Sequence, residues 1–207
     1  VLKTRKSALI ADDMGLGKTI QGIGILNGRP DAKRVLVLCQ ANMRLKWVRE
    51  IEKWKINSDL TVGHAEGSNW PDTDVVVINY DIAARHVERM RATEWDLILT
   101  DEAHNLKNED TQRTQAVLGT LLSASSDADF IPTLPLAAGG QMVHLTGTPK
   151  PNRVSELWPL LTTSRPDLWG TGPLARMAFL NRYQPPTLIK KTITKGKRSF
   201  EKILAMP

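Results

Sequence analysis

Five short apolar runs recur along the chain at Ala8–Ala11, Val35–Cys39, Val75–Ile78, Leu97–Leu99 and Val143–Leu145, with helical patterns or turn signals between them. Runs this short and continuous fit strands covered on both faces, as in a parallel sheet held between helical layers. One helix is expected to open at Lys18–Thr19 and stop at Asn27-Gly28, before Pro30. A second should run from about Met43 to Trp54, with Leu45, Val48, Ile51 and Glu52 placed amphipathically. The alternation predicts an α/β fold: a mainly parallel central sheet, helices on both faces, right-handed crossovers. The stretch 123–140 is rich in Ser, Pro, Gly and small residues without a period, so a long loop or insertion is expected there.

With 207 residues, 41% of them hydrophobic, the chain can bury a sizeable core. No stretch nears the roughly eighteen apolar residues of a membrane span, and Val1–Lys6 leads into no signal-type apolar run, so an intracellular protein without a membrane partner is expected. The single cysteine, Cys39, can form neither an internal disulfide nor a thiolate metal site. A formal charge of +6 favours a polyanionic partner. Within 187–202, Lys190, Lys191, Lys195, Lys197, Arg198 and Lys202 face only Glu201, which fits either a solvated tail or a phosphate-facing surface.

Two motifs carry chemistry. After the first apolar run, Asp12-Asp-Met-Gly-Leu-Gly-Lys-Thr19 sets glycines, then Lys18-Thr19, at the start of a helix. Glycines let backbone N–H groups approach phosphate oxygens, the helix N-terminus adds a favourable dipole, Lys18 can neutralise β and γ phosphates, and the Thr19 hydroxyl can ligate Mg²⁺. The expected ligand is a nucleoside triphosphate, although Asp12 stands where the general pattern has glycine and an accidental Gly-Lys-Thr is the bland alternative. Downstream, Trp95-Asp-Leu-Ile-Leu-Thr-Asp-Glu-Ala-His104 ends an apolar strand in two carboxylates, where α/β folds hold ligands. Asp101 suits a Mg²⁺ contact through water and Glu102 the positioning of an attacking water. A solvated helix N-terminus would also favour such a pair. Trp47 and Trp54 could stack on bases, but their helical spacing favours core packing.

Asp12–Thr19 resembles the phosphate loop of Swi/Snf-type ATPases in helicase superfamily two, where an acidic pair and Met precede Gly-x-Gly-Lys-Thr. The Asp-Glu-Ala-His box at 101–104, Asn105-Leu-Lys-Asn108, Leu145-Thr-Gly-Thr-Pro149 and the Asn-Arg-x-x-Glu-Leu-Trp of 152–158 are similar to further motifs of that family. A looser echo lies at Phe179–Tyr183. The subgroup most resembled is the small annealing-helicase-like and phage or bacterial members.

The resemblance implies a RecA-like P-loop lobe over residues 1–165, cut at its N-terminus, and a basic extension over 166–207 leading toward a second RecA-like lobe. It implies ATP and Mg²⁺ as cofactors, with Asp13, Met14, Gly15, Leu16, Gly17, Lys18, Thr19 and Ile20 around the nucleotide. Lys18, Asp101 and Glu102 would be catalytic, Thr19 and Asp101 would face the metal, and His104, Thr146 and Thr148 would couple hydrolysis to lobe movement. Gln40, Asn79, Tyr80, Lys107 and Asn108 would face nucleic acid, with Gln40-Ala41 departing from the proline usual in the family. The implied activity is ATP-driven translocation on double-stranded DNA, with this lobe nearly inactive alone. A strand-separating DNA or RNA helicase and a nonenzymatic scaffold are the competing readings.

Overall fold

The computed structural model describes residues 7–121, 133–149 and 152–184 in full, and the backbone of 187–195 and 198–206. Six parallel strands form the central sheet: β1 Ser7–Ile10, β2 Val35–Cys39, β3 Val62–His64, β4 Val75–Asn79, β5 Trp95–Asp101 and β6 Leu136–Leu145. Their spatial order is β1-β6-β5-β2-β4-β3. All of β2 and β4 is buried, which is why their sequences are continuous apolar runs with no polar alternation.

Successive residues of each strand serve opposite layers. Val35, Val37, Val75, Val77, Leu97, Leu99, Val143 and Leu145 pack with Ile23 and Leu26 of helix α1, Lys18–Asn27, and Trp47 and Ile51 of helix α2, Arg44–Trp54. Leu36, Leu38, Val76, Ile78, Ile98 and Met142 face the other way. There they meet helices α3 Tyr80–Ala83, α4 Val87–Ala92, α5 Gln112–Leu118 and α6 Trp158–Ser164. Helices therefore cover both faces of an all-parallel sheet.

Two expectations are corrected and one strand is added. Trp47, Ile51 and the partly buried Val48 face the core from α2 as expected, while Leu45 and Trp54 are exposed. Strand β3 is an addition, a three-residue edge strand paired with β4. Residues 136–140, expected as loop, are the first half of β6, whose pairing with β5 shifts register between Trp95 and Leu97. A Cβ on Gly140 would lie 2.5 Å from the Trp95 carbonyl oxygen, so glycine is required by the close backbone approach. Residues 122–132 of the expected insertion lie outside the described residues.

Beyond α6 come α7, Pro166–Trp169, and α8, Gly172–Tyr183, then an antiparallel pair, β7 Thr187–Lys195 and β8 Arg198–Met206. Phe179 on α8 is buried, its ring centroid 5.5 Å from Trp158 and 5.7 Å from Trp169. The expected boundary at 165/166 thus falls between elements whose aromatic rings pack together.

Candidate nucleotide site

The phosphate-loop sequence follows β1 and leads into α1. Gly15 and Gly17 have φ of +88° and +74°, and a Cβ on either would meet nothing within 4 Å. Glycine is needed there for the left-handed backbone, and the space above the loop is open. Lys18, buried in the first turn of α1, donates from Nζ to the carbonyls of Asp12 and Asp13, each at 3.0 Å. The lysine thus lies across its own loop. Gln21 Nε2 braces the loop from the next turn, donating to Asp12 Oδ2 at 2.8 Å and to the Leu16 carbonyl at 3.3 Å.

The acidic pair arrives on the same rim through β6. Ile10 pairs with Leu145 across β1 and β6, and Asp101 pairs with the same Leu145 across β5 and β6. The ends of β1 and β5 are therefore level, two strand spacings or about 10 Å apart. The turn after Leu145 fills the gap: a Cβ on Gly147 would lie 2.8 Å from Met14 Cγ and 3.2 Å from Lys18 Nζ. The three segments meet at the carboxyl end of the sheet, where parallel α/β folds place ligands.

Asp101 is buried and doubly held. Its Oδ2 accepts from Trp47 Nε1 at 2.8 Å, and its Oδ1 accepts from the Glu102 amide at 3.0 Å. Burial pushes its carboxyl above the usual range, and the Trp47 hydrogen bond opposes that shift. Glu102 has φ +47° and ψ 52°, the sole positive φ outside glycine among the described residues. Such a conformation costs on the order of 1–3 kcal/mol and persists where neighbours over-determine it. Here the Asn105 backbone N–H and Nδ2 both donate to the Glu102 carbonyl, at 2.9 and 2.8 Å. The kink ends β5 and starts the 3₁₀ turn Ala103–Leu106.

His104 gathers the rest. Its Nδ1 lies 3.2 Å from Glu102 Oε2, 3.2 Å from Thr146 Oγ1 and 3.1 Å from Thr148 Oγ1. One imidazole nitrogen thus touches Glu102 of the acidic pair and both hydroxyls of the segment after β6. Glu102 Oε2 is itself buried and makes no well-aligned hydrogen bond, its polar contact being His104 Nδ1 at 3.2 Å.

Those donors fit a hard divalent cation. Among the described residues no group of three or more His, Cys, Asp or Glu could hold a metal alone. The Thr19 hydroxyl and the Asp101 carboxylate match an ion such as Mg²⁺, which takes one or two protein ligands and completes its shell with phosphate oxygens and water.

The residues expected to face nucleic acid divide. Asn79 is buried and caps α3, its Oδ1 accepting from the amides of Asp81 and Ile82. Tyr80 is buried and donates its hydroxyl to the Asp101 carbonyl at 2.7 Å, supporting the acidic strand end from beneath. Both have internal duties in place of the surface contact expected of them. Lys107 pairs with Glu156 at 3.2 Å, and Glu156 also accepts from the Asn152 amide and Nδ2. Gln40 is half-buried at the exit of β2, and Asn108 is exposed. Sequence reasoning did not single out Gln21, and it named Trp47 and Glu156 without the contacts they make. Their roles arise from contacts across the fold, and a tryptophan at helical spacing favours the core without showing what its N–H meets.

Comparison with known proteins places this geometry. A family model described as the SNF2-related domain matches residues 2–206. The ISWI chromatin-remodeling complex ATPase ISW2 of Saccharomyces cerevisiae is 28% identical over 186 residues, covering 83% of this chain and 15% of that protein. The DNA repair and recombination protein RAD54 of the same yeast is 28% identical, covering 94% of this chain and 24% of its own length. Among solved structures, the Sulfolobus solfataricus SWI2/SNF2 ATPase core in complex with dsDNA superposes with a TM-score of 0.64 at 25% identity, over 89% of this chain and 40% of that one. The chain therefore spans under half of each of these relatives.

Proposed function

The chain belongs to the SNF2-related family, and on that premise we propose that it is the ATP-binding motor lobe of an intracellular DNA-dependent ATPase that converts hydrolysis into translocation on double-stranded DNA. The observation that carries this reading is the common rank of Ile10 and Asp101 on Leu145, which brings the phosphate loop and the acidic pair to one rim. A relative solved with double-stranded DNA supports the choice of polymer.

In this reading Lys18 releases the Asp12 and Asp13 carbonyls, or shares its protons with them, to meet the β and γ phosphates of ATP. Backbone amides from Asp13 to Ile20 supply the cradle, with Gly15 and Gly17 keeping it open. Thr19 and Asp101 would hold Mg²⁺, which would offset charge on the phosphate oxygens. Glu102 orients the attacking water with its buried carboxylate oxygen. His104 then reads the state of Glu102 and passes it to Thr146 and Thr148, one strand away. A second RecA-like lobe closes on this rim and supplies the remaining cation of the transition state. Half-buried Gln40 at the exit of β2 and exposed Asn108 beyond the 3₁₀ turn after β5 contact the phosphodiester backbone, so affinity carries little base sequence information. No described helix is long and apolar enough to cross a membrane.

The test uses the full-length protein with Lys18→Ala and Glu102→Gln. We expect each to lower DNA-stimulated ATPase at least about 100-fold while DNA retention in a filter or gel assay stays near wild type. Unchanged cellular function with both substitutions would mean the lobe is a scaffold. Separation of a tailed duplex by the wild type would make it a strand-separating helicase instead.

A further inference from the structure

We infer that Trp47 is a positioning residue for the metal-facing carboxylate of Asp101, and that it links that carboxylate to the Gln40–Met43 edge from which helix α2 starts. The inference rests on the ATP-binding reading above and deepens it.

A buried indole N–H usually finds an acceptor; here Trp95 Nε1 donates to the Met90 carbonyl at 2.8 Å, whereas the buried Trp158 Nε1 has no hydrogen-bond partner. Trp47, fully buried, donates instead to a carboxylate of the candidate site, at 2.8 Å. An Asp carboxylate turns readily about its last torsion, where the energy wells are broad. With Oδ2 held by the indole and Oδ1 by the Glu102 amide, that rotation is stopped. Each oxygen keeps a further lone pair for a cation or its water.

The ring is fixed from the opposite side too. A Cβ on Gly22 of α1 would lie 3.0 Å from Trp47 Cη2, so the absence of a side chain at Gly22 makes the seat for the indole. Trp47 thereby touches the helix that follows the phosphate loop and the strand end that carries the acid. It stands in the first turn of α2, directly after Gln40 and the 3₁₀ turn Ala41–Met43 at the exit of β2. Any shift of α2 imposed at that edge moves the donor that orients Asp101.

Two substitutions separate hydrogen bonding from packing. Trp47→Phe keeps an aromatic ring and loses the donor; Trp47→His keeps a donor at the corresponding ring position and loses bulk. The readout is protein-bound Mn²⁺, counted by electron paramagnetic resonance with ATP present, alongside ATP binding in EDTA and the melting midpoint. We expect Trp47→Phe to weaken Mn²⁺ binding roughly ten-fold, as loss of a hydrogen bond to a charged group implies, with ATP binding in EDTA unchanged. Trp47→His should melt earlier yet hold Mn²⁺ near wild-type affinity. Wild-type Mn²⁺ binding by the Phe variant, or equal loss in both variants, overturns the inference. Should the Phe variant fail to fold, the folded His variant decides alone: retained Mn²⁺ affinity supports the role and lost affinity overturns it. A wild-type chain that binds no ATP with or without metal sinks the ATP-binding reading itself, a distinct result.

Discussion

Enclosed on β6 between β1 and β5, the His144 ring has its Nδ1 2.7 Å from Thr100 Oγ1 and its Nε2 without a partner. A proton added to this ring would be a buried charge with one N–H unmatched, and burial pushes the pKa down to about 4. The unfolded chain takes up this proton near pH 6.5, before the folded one does, so stability from the neutral ring is complete above about pH 6.5 and is lost as pH falls toward 4. The full loss is about 3 kcal/mol. The Asp101 and Glu109 carboxyls, both raised by burial, act in the opposite sense as pH falls, so comparison with a variant isolates the histidine. Urea midpoints between pH 7 and 4.5 should decline more steeply for the wild type than for His144→Gln. Parallel curves would mean the ring titrates as if exposed. Cys39, its thiol pushed up to about 12 mainly by burial, stays neutral throughout that range.

At the scale of elements, the aromatic cluster of Trp158, Trp169, Phe179 and Tyr183 joins α6, α7 and α8, with Phe179 at its centre. Phe179→Ala removes the ring that the other three share and should cost about 3–5 kcal/mol, read as a lower denaturant midpoint. A loss under 1 kcal/mol would mean that 166–184 packs independently of the lobe. The sequence hid this contact, because spacing along α8 says nothing about which distant helix its phenylalanine meets. Strands β2 and β4 were legible for the opposite reason: burial on both faces leaves an unbroken apolar run. Strand β3 was not, since three half-buried residues at a sheet edge carry no such run. The first half of β6 read as loop because close approach to the Trp95 backbone demands glycine, the residue that also marks turns. Residues of the phosphate loop and acidic pair were legible because their chemistry fixes residue type and local order together. What holds them, the Trp47 indole and the Tyr80 hydroxyl, depends on contacts 54 and 21 residues away in sequence.

Considered whole, the lobe presents its reactive rim to solvent. Met14, Leu16 and Ile20, beside the phosphate loop, are 72%, 61% and 47% exposed, although all three are apolar. Lys18 rests on carbonyls of its own loop, a state in which its charge is already partly satisfied before any phosphate arrives. Hydrolysis needs the reverse of both conditions: water excluded except for the attacking molecule, and cations free to meet developing charge. A partner surface closing over Met14, Leu16 and Ile20 supplies the first and part of the second. The 207-residue chain by itself should therefore bind ATP weakly and hydrolyse it very slowly, and added duplex DNA should change that rate less than about two-fold, because in the proposed motor DNA would act through lobe closure. Phosphate release from the isolated chain, with and without duplex DNA, measures this. Robust DNA-stimulated turnover would require every catalytic group to lie within this lobe, and the exposed apolar residues beside the loop would then need another explanation.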